Sequence, residues 1–292
     1  MLDVNLIREN LEEVKRRLAG KRIDPKMVDR FALLDNNWRE MREKMDKLRA
    51  ELNALSKERN IEAAKAVKAE VKKLEEELGG VEKEREVFLS QLPNLPKEGW
   101  LEGRGEEDNK VLREAGEKPR FDFEVKDYLS LGESLGIIDV ERAAKVSGSR
   151  FGYLMGAGAL LEMALAQFAF SCLVKKGFIP VIPPVMIKPE VYRGMGRLQG
   201  GQEEERYYLQ NDDLYLVGSS EHTIGPIHMG DTFKPEDLPR RYVGFSTCFR
   251  REAGSYGKDT KGILRVHQFD KVEMFSFTKP EESEQEHQFL LA

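Results

Sequence analysis

The stretch CFRREAGSYGKDTKGILRVHQFDKVEMF, residues 248–275, decides how this chain folds. Two runs rich in β-forming residues flank a loop of ten residues, Ala253 to Gly262. Side chains in a strand alternate between two faces, so the spacing predicts a hairpin with five charged or aromatic side chains on one face. These are Arg250, Glu252, Arg265, Phe269 and Glu273.

The residue types on this face suit a nucleotide. Guanidinium groups bind phosphate oxygens through paired, charge-assisted hydrogen bonds, a phenylalanine ring stacks on a base, and a carboxylate accepts hydrogen bonds from an amino group. The alternative is a half-exposed sheet face with cross-strand salt bridges. That alternative leaves Phe269 and the long loop unexplained, because a connection of this length in a hairpin is usually functional. The residues favour a nucleotide site.

The composition bounds the class of protein. With 292 residues, 40% apolar and 34% charged, the chain predicts two domains and a long solvated element. A net charge of −5 does not indicate a protein that binds nucleic acid through its overall charge. It does not exclude a local basic strip. Cys172 and Cys248 lie far apart, and the amino terminus has no long apolar run. Together these features predict a soluble protein of the reducing cytoplasm.

The amino-terminal third has a helical pattern. Residues 1–25 predict one short amphipathic helix, capped by Asp3 or Asn5 and ended by Gly20. Two heptad seams follow, separated by the polar stretch SKERNIEA. The first contains Phe31, Leu34, Trp38, Met41, Met45, Leu48, Leu52 and Leu55, and the second contains Val67, Val71, Leu74, Leu78, Val81 and Phe88. They predict an antiparallel helical hairpin over about residues 27–91, although a dimerising coiled coil or a spacer remains open.

Basic residues gather near the turn of this hairpin: Lys57, Arg59, Lys65 and Lys68. A basic tip can contact a phosphate backbone, while ordinary surface lysine is the commoner explanation. Pro93 and Pro96 end the hairpin, and residues 97–120 are polar and loop-like. Beyond them a strongly apolar helix ends at Gly177, and the strand FIPVIPPVM follows. Its Pro183–Pro184 pair predicts an edge or interface element.

Residues 248–275 closely resemble motif 2 of seryl-tRNA synthetases, a family of class II aminoacyl-tRNA synthetases. The signature Phe-Arg-x-Glu is Phe249-Arg250-Arg251-Glu252. In the same order along the chain, the two long helices look like that family's tRNA-binding arm. The stretch GFIPVIPPVM looks like motif 1, the dimer-interface element, with Pro184 at its proline. The stretch LVGSSEH lies where the family has its Thr-x-Glu serine-binding loop.

The resemblance implies an α+β fold, in which an antiparallel two-helix coiled-coil arm precedes a class II antiparallel β-sheet domain with flanking helices. The implied domains are a tRNA-binding arm over 1–96, a linker over 97–120 and a catalytic domain over 121–292. The family's motif 3 is absent, so the resemblance implies an amino-terminal portion, incomplete at the C-terminus and as a catalyst. It also implies a cytoplasmic homodimer that does not engage a membrane, with Pro184 at the dimer interface.

The implied activity is that of a serine–tRNA ligase. ATP activates L-serine to seryl-adenylate, and the seryl group passes to tRNA(Ser), with tRNA(Sec) as a second candidate acceptor and Mg²⁺ as cofactor. Arg250 would clamp the α-phosphate, Glu252 would hold the adenine amino edge, and Phe269 would stack on the ring. Arg265 would lie on the phosphate side. The implied ATP site comprises Arg250, Arg251, Glu252, Arg265, Val266 and Phe269, of which Arg250, Glu252 and Arg265 are the catalytic set.

The implied serine site comprises Ser219, Ser220, Glu221 and Glu273. The two carboxylates would divide the ammonium and hydroxyl of serine between them, and Lys57, Arg59, Lys65 and Lys68 would contact tRNA. No protein metal site is expected.

One departure is that Ser219 replaces the family's threonine, and His222-Thr223 replaces an apolar–proline step. His222, His228 and His267 lack ligand spacing and are expected to be packed or on the surface. The competing hypotheses are an inactive or repurposed synthetase homologue that binds RNA, and a coiled-coil interaction protein.

Overall fold

The computed structural model describes residues 2–100, 103–198, 201–253 and 261–292. Its contacts divide the chain into two compact units, Met1–Glu117 and Lys118–Ala292. The helices are α1 (Val4–Glu9), α2 (Leu11–Gly20), α3 (Pro25–Lys57), α4 (Ile61–Gln91), α5 (Tyr128–Ser134), α6 (Val140–Ser147), α7 (Ala157–Lys175), α8 (Pro189–Gly194), α9 (Glu221–Ile224) and α10 (Ser283–Leu291). The strands are β1 (Ile138–Asp139), β2 (Tyr153–Leu154), β3 (Ile179–Val181), β4 (Met186–Ile187), β5 (Tyr208–Leu209), β6 (Leu214–Leu216), β7 (Arg240–Phe249) and β8 (Gln268–Phe277).

The amino terminus forms two helices where the sequence predicted one. Asp3 caps α1 by accepting a hydrogen bond from the Asn5 amide at 2.9 Å, as expected. The backbone then leaves the helical region at Asn10, where φ is −142°. The single-helix prediction is therefore wrong at Asn10, where a residue with non-helical φ and ψ separates α1 from α2. Ile7 and Val14, on either side of the break, are both buried in the cluster that contains Phe31.

The predicted helical hairpin is confirmed as α3 and α4. Asp24 caps α3 with Pro25 in its first turn, and Asn60 caps α4 by accepting from the Ala63 amide. Phe31 and Phe88 of the seams belong to the same cluster as Ile7 and Val14. Nine other seam residues form a second cluster: Trp38, Met41, Met45, Leu48, Leu52, Val67, Val71, Leu74 and Leu78. Ion pairs Arg49–Glu75 at 2.9 Å and Arg30–Glu84 at 3.4 Å join the helices in antiparallel order.

A buried carboxylate connects α1, α3 and α4. Asp35 is 2% exposed, and it accepts from the Arg8 guanidinium at 2.7 and 3.0 Å and from Arg85 Nε at 2.7 Å. Burial opposes ionisation of Asp35, but the two arginines outweigh it and lower its pKa. No pattern in the sequence pointed to Asp35, because it lies outside both heptad seams.

The second unit is built on a three-stranded sheet in the order β3-β7-β8. Strands β7 and β8 are antiparallel over ten residue pairs, and β3 runs parallel to β7. Within the described residues β3 is an edge strand, as its prolines predicted. A smaller sheet has the order β4-β6-β5, and β1 pairs with β2.

Helix α7 is apolar and largely exposed. Gly177, with φ +88°, follows it where the sequence predicted its end. Its large exposed apolar side chains are Leu160, Leu161, Met163, Leu165, Phe168 and Val174. In the described ranges, α7 is the helix that is long and apolar enough to cross a membrane, by length and composition only. A helix buried by other parts of a soluble protein meets the same criteria of length and composition.

Helix α10 is attached to the main sheet by an ion pair. Arg241 of β7 donates two hydrogen bonds of 2.6 Å to Glu286. Its guanidinium also lies 4.0 Å from the ring centroid of Phe289.

Candidate active site

One face of the β7–β8 hairpin, called here the site face, carries Phe269, Lys271 and Glu273. The register places these residues opposite Cys248, Ser246 and Gly244 of β7. Gly244 has no side chain, and a Cβ there would lie 3.1 Å from the Ser220 hydroxyl. The glycine therefore lets the loop before α9 approach the sheet beside Glu273.

The strands are shorter than the sequence predicted. Because β7 ends at Phe249 and β8 begins at Gln268, Arg250, Glu252 and Arg265 all lie beyond the paired strands. Glu252 adopts the left-handed conformation, with φ +52°, so strand alternation does not carry these three residues onto the face. The prediction that strand alternation places Arg250, Glu252 and Arg265 on one face is therefore wrong.

Side-chain contacts nevertheless bring the predicted residues together. The Arg250 guanidinium carbon lies 5.1 Å from the ring centroid of Phe269. Arg265 Nη1 lies 3.4 Å from Glu252 Oε2. The hairpin ends therefore hold a stacked arginine–phenylalanine pair and an arginine–glutamate pair, which sequence spacing alone did not predict.

Backbone contacts hold Arg250 in place. Its Nε donates to the Gly218 carbonyl at 3.1 Å, its amide donates to the His267 carbonyl at 3.0 Å, and its own carbonyl lies 2.9 Å from His267 Nδ1. His267 is therefore packed, as expected. The guanidinium of Arg251 lies 5.4 Å from the ring centroid of Tyr207.

Val266 is buried, and with Phe269 it lines a cavity of about 420 Å³. Two of the residues predicted to bind ATP therefore share one cavity.

Two residues that the sequence did not single out hold the ends of the connecting loop, whose residues 254–260 lie outside the described ranges. The Tyr128 hydroxyl donates to the Lys261 carbonyl at 3.0 Å and accepts from the Ile263 amide at 3.1 Å. Arg150 Nη1 donates to the Glu252 carbonyl at 2.9 Å. Gly262 has φ +76°, and a Cβ there would lie 2.1 Å from the Tyr128 hydroxyl.

Glu273 lies at the centre of the predicted serine site. Its Oε2 accepts from the Ser219 hydroxyl, from the Ser220 hydroxyl at 2.9 Å and from the Glu221 amide at 3.0 Å. Its Oε1 lies 2.9 Å from the Lys271 ammonium. Burial opposes ionisation of Glu273, but the hydrogen bonds from Ser219 and Lys271 outweigh it and lower its pKa. The sequence did not predict Lys271, although its alternation with Phe269 and Glu273 pointed to it.

The second carboxylate, Glu221, is held by two side chains. Arg197 pairs with Oε1, and His222 Nε2 lies 3.4 Å from the same oxygen. The interaction with His222, together with the charge of Arg197, lowers the pKa of Glu221 to about 2, against the opposing effect of burial. Arg197 was not predicted.

His222 is packed, with 3% of its surface exposed. Its Nδ1 lies 2.9 Å from the Tyr192 hydroxyl and 3.2 Å from the Gly218 amide. Burial lowers the pKa of the His222 imidazole. His228 lies 2.7 Å from the Tyr242 hydroxyl and 2.9 Å from Asp231. The described residues contain no group of three His, Cys, Asp or Glu side chains that could hold a metal ion.

The remaining predicted residues are Pro184 of the second unit and four basic residues of the first unit. Pro184 is exposed, and its carbonyl accepts from the Thr223 hydroxyl at 3.0 Å. Four basic residues are exposed around the turn between α3 and α4: Lys57, Arg59, Lys65 and Lys68. Arg59 lies in the turn itself, with φ +56°.

Two family models match this chain. Residues 1–96 match the seryl-tRNA synthetase N-terminal domain, and residues 206–291 match the tRNA synthetase class II core domain (G, H, P, S and T). The chain is 45% identical to a serine–tRNA ligase of Rhodococcus jostii, and this match covers 100% of the chain and 72% of that protein. It is 47% identical to the serine–tRNA ligase of Acidothermus cellulolyticus, where it covers 100% of the chain and 71% of the relative.

Solved structures are similar over the same span. The seryl-tRNA synthetase of Pyrococcus horikoshii complexed with ATP superposes with a TM-score of 0.89 at 36% identity, covering 100% of this chain and 72% of that one. The cytoplasmic serine–tRNA ligase of Naegleria fowleri in complex with AMP gives 0.86 at 32% identity, covering 99% and 70%.

A class II synthetase core that follows an N-terminal domain of this kind defines an aminoacyl-tRNA synthetase. Within that class, the matched domain and the whole-chain identities single out one amino acid. The chain belongs to the seryl-tRNA synthetase family.

Proposed function

We propose that this chain acts as a serine–tRNA ligase, with ATP, serine and the substrate tRNA meeting at the site face. One observation carries the proposal: a guanidinium stacked on an aromatic ring lies on the same hairpin as a carboxylate, Glu273, held by two serine hydroxyls and a lysine. The first pair suits a nucleotide, and the second group suits a small hydroxylated amino acid. The solved relatives in complex with ATP and AMP support the nucleotide.

In the first step a serine carboxylate oxygen attacks the α-phosphorus of ATP. The bond from that phosphorus to the bridging oxygen of the β-phosphate breaks, and pyrophosphate leaves. Arg250 and Arg265 would neutralise the charge on the phosphates, while Phe269 and Glu252 hold the base. In the second step a ribose hydroxyl at the tRNA terminus attacks the acyl carbon, and AMP leaves. Positioning and charge stabilisation supply the catalysis, and no side chain needs to form a covalent intermediate.

Selectivity for serine follows from the hydrogen bonds around Glu273. A carboxylate offers about four acceptor positions, and Glu273 already accepts from Ser219, Ser220, the Glu221 amide and Lys271. The first three contact Oε2 and Lys271 contacts Oε1, so the substrate hydroxyl would donate to Oε1. Alanine has no hydroxyl and would forgo this hydrogen bond to a charged acceptor.

Mg²⁺ fits this site as an ion carried by the nucleotide. The described residues gather no set of three ligating side chains, and Mg²⁺ in nucleotide sites is held largely by substrate phosphates. Bound there, it would withdraw charge from the pyrophosphate leaving group.

The arm and helix α7 complete the proposal. The exposed basic residues at the turn, Lys57, Arg59, Lys65 and Lys68, would contact tRNA(Ser). The exposed apolar face of α7, with Ile182 at 84% exposure next to Pro184, would be covered in a homodimer of the cytoplasm.

Serine-dependent exchange of pyrophosphate into ATP tests the activity. The wild-type chain should catalyse exchange with L-serine and not with L-alanine, and Arg250→Ala should abolish it, because the phosphate contact and the stack on Phe269 are lost together. Chain that is folded yet exchanges nothing would support the repurposed homologue. Full activity in Arg250→Ala would overturn the site assignment.

A further inference from the structure

The two oxygens of Glu221 have unequal surroundings. Oε1 contacts Arg197 and lies 3.4 Å from His222 Nε2. Oε2 makes no hydrogen bond within the described ranges. Glu273 differs, because donors contact both of its oxygens. Glu221 is thus the carboxylate of the pair whose second oxygen is open to a ligand, and Oε1 is the oxygen by which the protein holds it.

The ring of His222 has a defined orientation. A backbone amide can only donate, so the 3.2 Å contact from the Gly218 amide makes Nδ1 an acceptor. The Tyr192 hydroxyl, 2.9 Å from Nδ1, is a second donor to it. The neutral imidazole then carries its proton on Nε2, the nitrogen that faces Glu221 Oε1. Tyr192 is 0% exposed and His222 is 3% exposed, so neither ring is free to reorient in solvent.

We propose that His222 is a positioning residue, which directs its Nε2 proton at Glu221 Oε1 and so holds Oε2 toward the ammonium group of the amino acid substrate. Gly218 and Tyr192 contact the imidazole at its Nδ1, and Arg197 contacts the same carboxylate oxygen as His222. The proposal rests on the serine-binding role proposed above for Glu221. The proposal explains why the residue directly after Glu221 is a histidine. An apolar residue could fill the same buried space, but it could not donate to Glu221.

Two substitutions separate the two ring nitrogens. The side-chain amide of His222→Gln can place its nitrogen near the Nε2 position and donate to Glu221. The shorter amide of His222→Asn can place its oxygen near the Nδ1 position and accept from Gly218, but it cannot reach Glu221. A role in packing alone predicts that the shorter and longer amides differ only in stability. A positioning role predicts that serine binding follows the Nε2 donor.

The test is binding of L-serine to the full chain by calorimetry, with the thermal midpoint of each variant measured in parallel. We expect His222→Asn to raise the Kd for serine about tenfold or more, as for a lost hydrogen bond to a charged group. We expect His222→Gln to restore the Kd to within about threefold of wild type. Equal Kd values for wild type and a folded His222→Asn would overturn the proposal. Equal weakening in both folded variants would overturn it too.

A second measurement is independent of serine. Nitrogen-15 NMR of labelled histidine should show His222 as the neutral Nε2–H tautomer. An Nδ1–H tautomer overturns the positioning role whatever the chain binds. If the wild-type chain fails to bind serine, the proposed function fails, and the tautomer still decides the orientation of His222.

Discussion

The guanidinium of Arg250 lies against the ring of Phe269, with its central carbon 5.1 Å from the ring centroid. Arg250 follows the end of β7, and Phe269 is the second residue of β8. The same guanidinium is anchored through Nε, which donates to the Gly218 carbonyl at 3.1 Å. A guanidinium over an aromatic ring places positive charge beside a stacking surface, and an adenine ring and its phosphates would use both.

Phe269→Ala should raise the KM for ATP by about 5- to 150-fold, because stacking of a base on an aromatic ring is worth about 1–3 kcal/mol. Steady-state pyrophosphate exchange at varied ATP measures this. Phe269→Tyr retains the ring and is the matched control, expected to keep most of the ATP affinity. An unchanged KM in Phe269→Ala would place the adenine elsewhere.

Ser219→Ala should raise the KM for serine by about tenfold, since it removes one hydroxyl donor from the carboxylate of Glu273. Ser219→Thr retains the hydroxyl and matches the residue that the family has at this position. It should stay close to wild type. The comparison is made by pyrophosphate exchange at varied serine. If Ser219→Ala and Ser219→Thr behave alike, the hydroxyl of Ser219 has no part in the site.

Asp35→Ala should lower the free energy of unfolding of the arm by about 3–5 kcal/mol, because it leaves Arg8 and Arg85 without their buried partner. Asp46→Ala, on the exposed face of the same helix, is the control and should change it by less than about 0.5 kcal/mol. Both tryptophans, Trp38 and Trp100, belong to the first unit, so tryptophan fluorescence during urea unfolding reports on this unit. Equal midpoints for the two variants would contradict the role of Asp35.

Stability of the second unit should fall as the pH drops below about 6.5. The folded pKa of His222 lies below the ordinary histidine value of about 6.5, because burial outweighs the carboxylate of Glu221, and Arg206 and Arg197 act in the same direction as burial. Between the folded pKa and about 6.5, the unfolded chain binds a proton that the folded chain does not, so acidification favours unfolding.

Thermal midpoints of wild type and His222→Gln between about pH 7.5 and about pH 5.5 check this, and the slope should be shallower in the variant. The pKa of Glu221 at about 2 places the titration of that carboxylate well below this window. If the thermal midpoint depends on pH equally in the two proteins, His222 is not the group responsible.

Tyr128→Phe should speed hydrogen exchange at the Ile263 amide by about 2- to 12-fold, because that amide loses the hydroxyl that accepts its hydrogen bond. The KM for ATP should rise in the same variant, since Ile263 leads directly into Arg265. Tyr153→Phe, in which an exposed ring also loses its hydroxyl, is the control. Unchanged exchange at Ile263 in Tyr128→Phe would show that the hydroxyl does not hold this segment.

The sequence predicted the fold where one periodic pattern covers many residues. The heptad seams of α3 and α4 survive the Gly79–Gly80 pair, because the packing of Leu74 and Leu78 against α3 outweighs the poor helix propensity of glycine. The break at Asn10 had no such signal, since a single non-helical residue leaves the apolar pattern on both sides unchanged.

The candidate site was predictable for the residues within a recognisable motif, and much less for their partners. Arg197, Tyr192 and Tyr128 reach the site from other elements, through contacts between residues far apart in the chain. No local spacing encodes such contacts. Lys271 is different, because its place between Phe269 and Glu273 at strand spacing was visible in the sequence.

The contact between Gly262 and Tyr128 constrains how this sequence can diverge. A Cβ at residue 262 would stand 2.1 Å from the tyrosine hydroxyl and 2.9 Å from the ring carbon Cζ, so no side chain fits there while the ring of Tyr128 keeps its place. A lineage that gains a side chain at 262 must already have lost or moved the ring at 128, whereas the loss of that ring imposes nothing on the glycine. Substitutions at the two sites should therefore be ordered in time, with position 128 changing first.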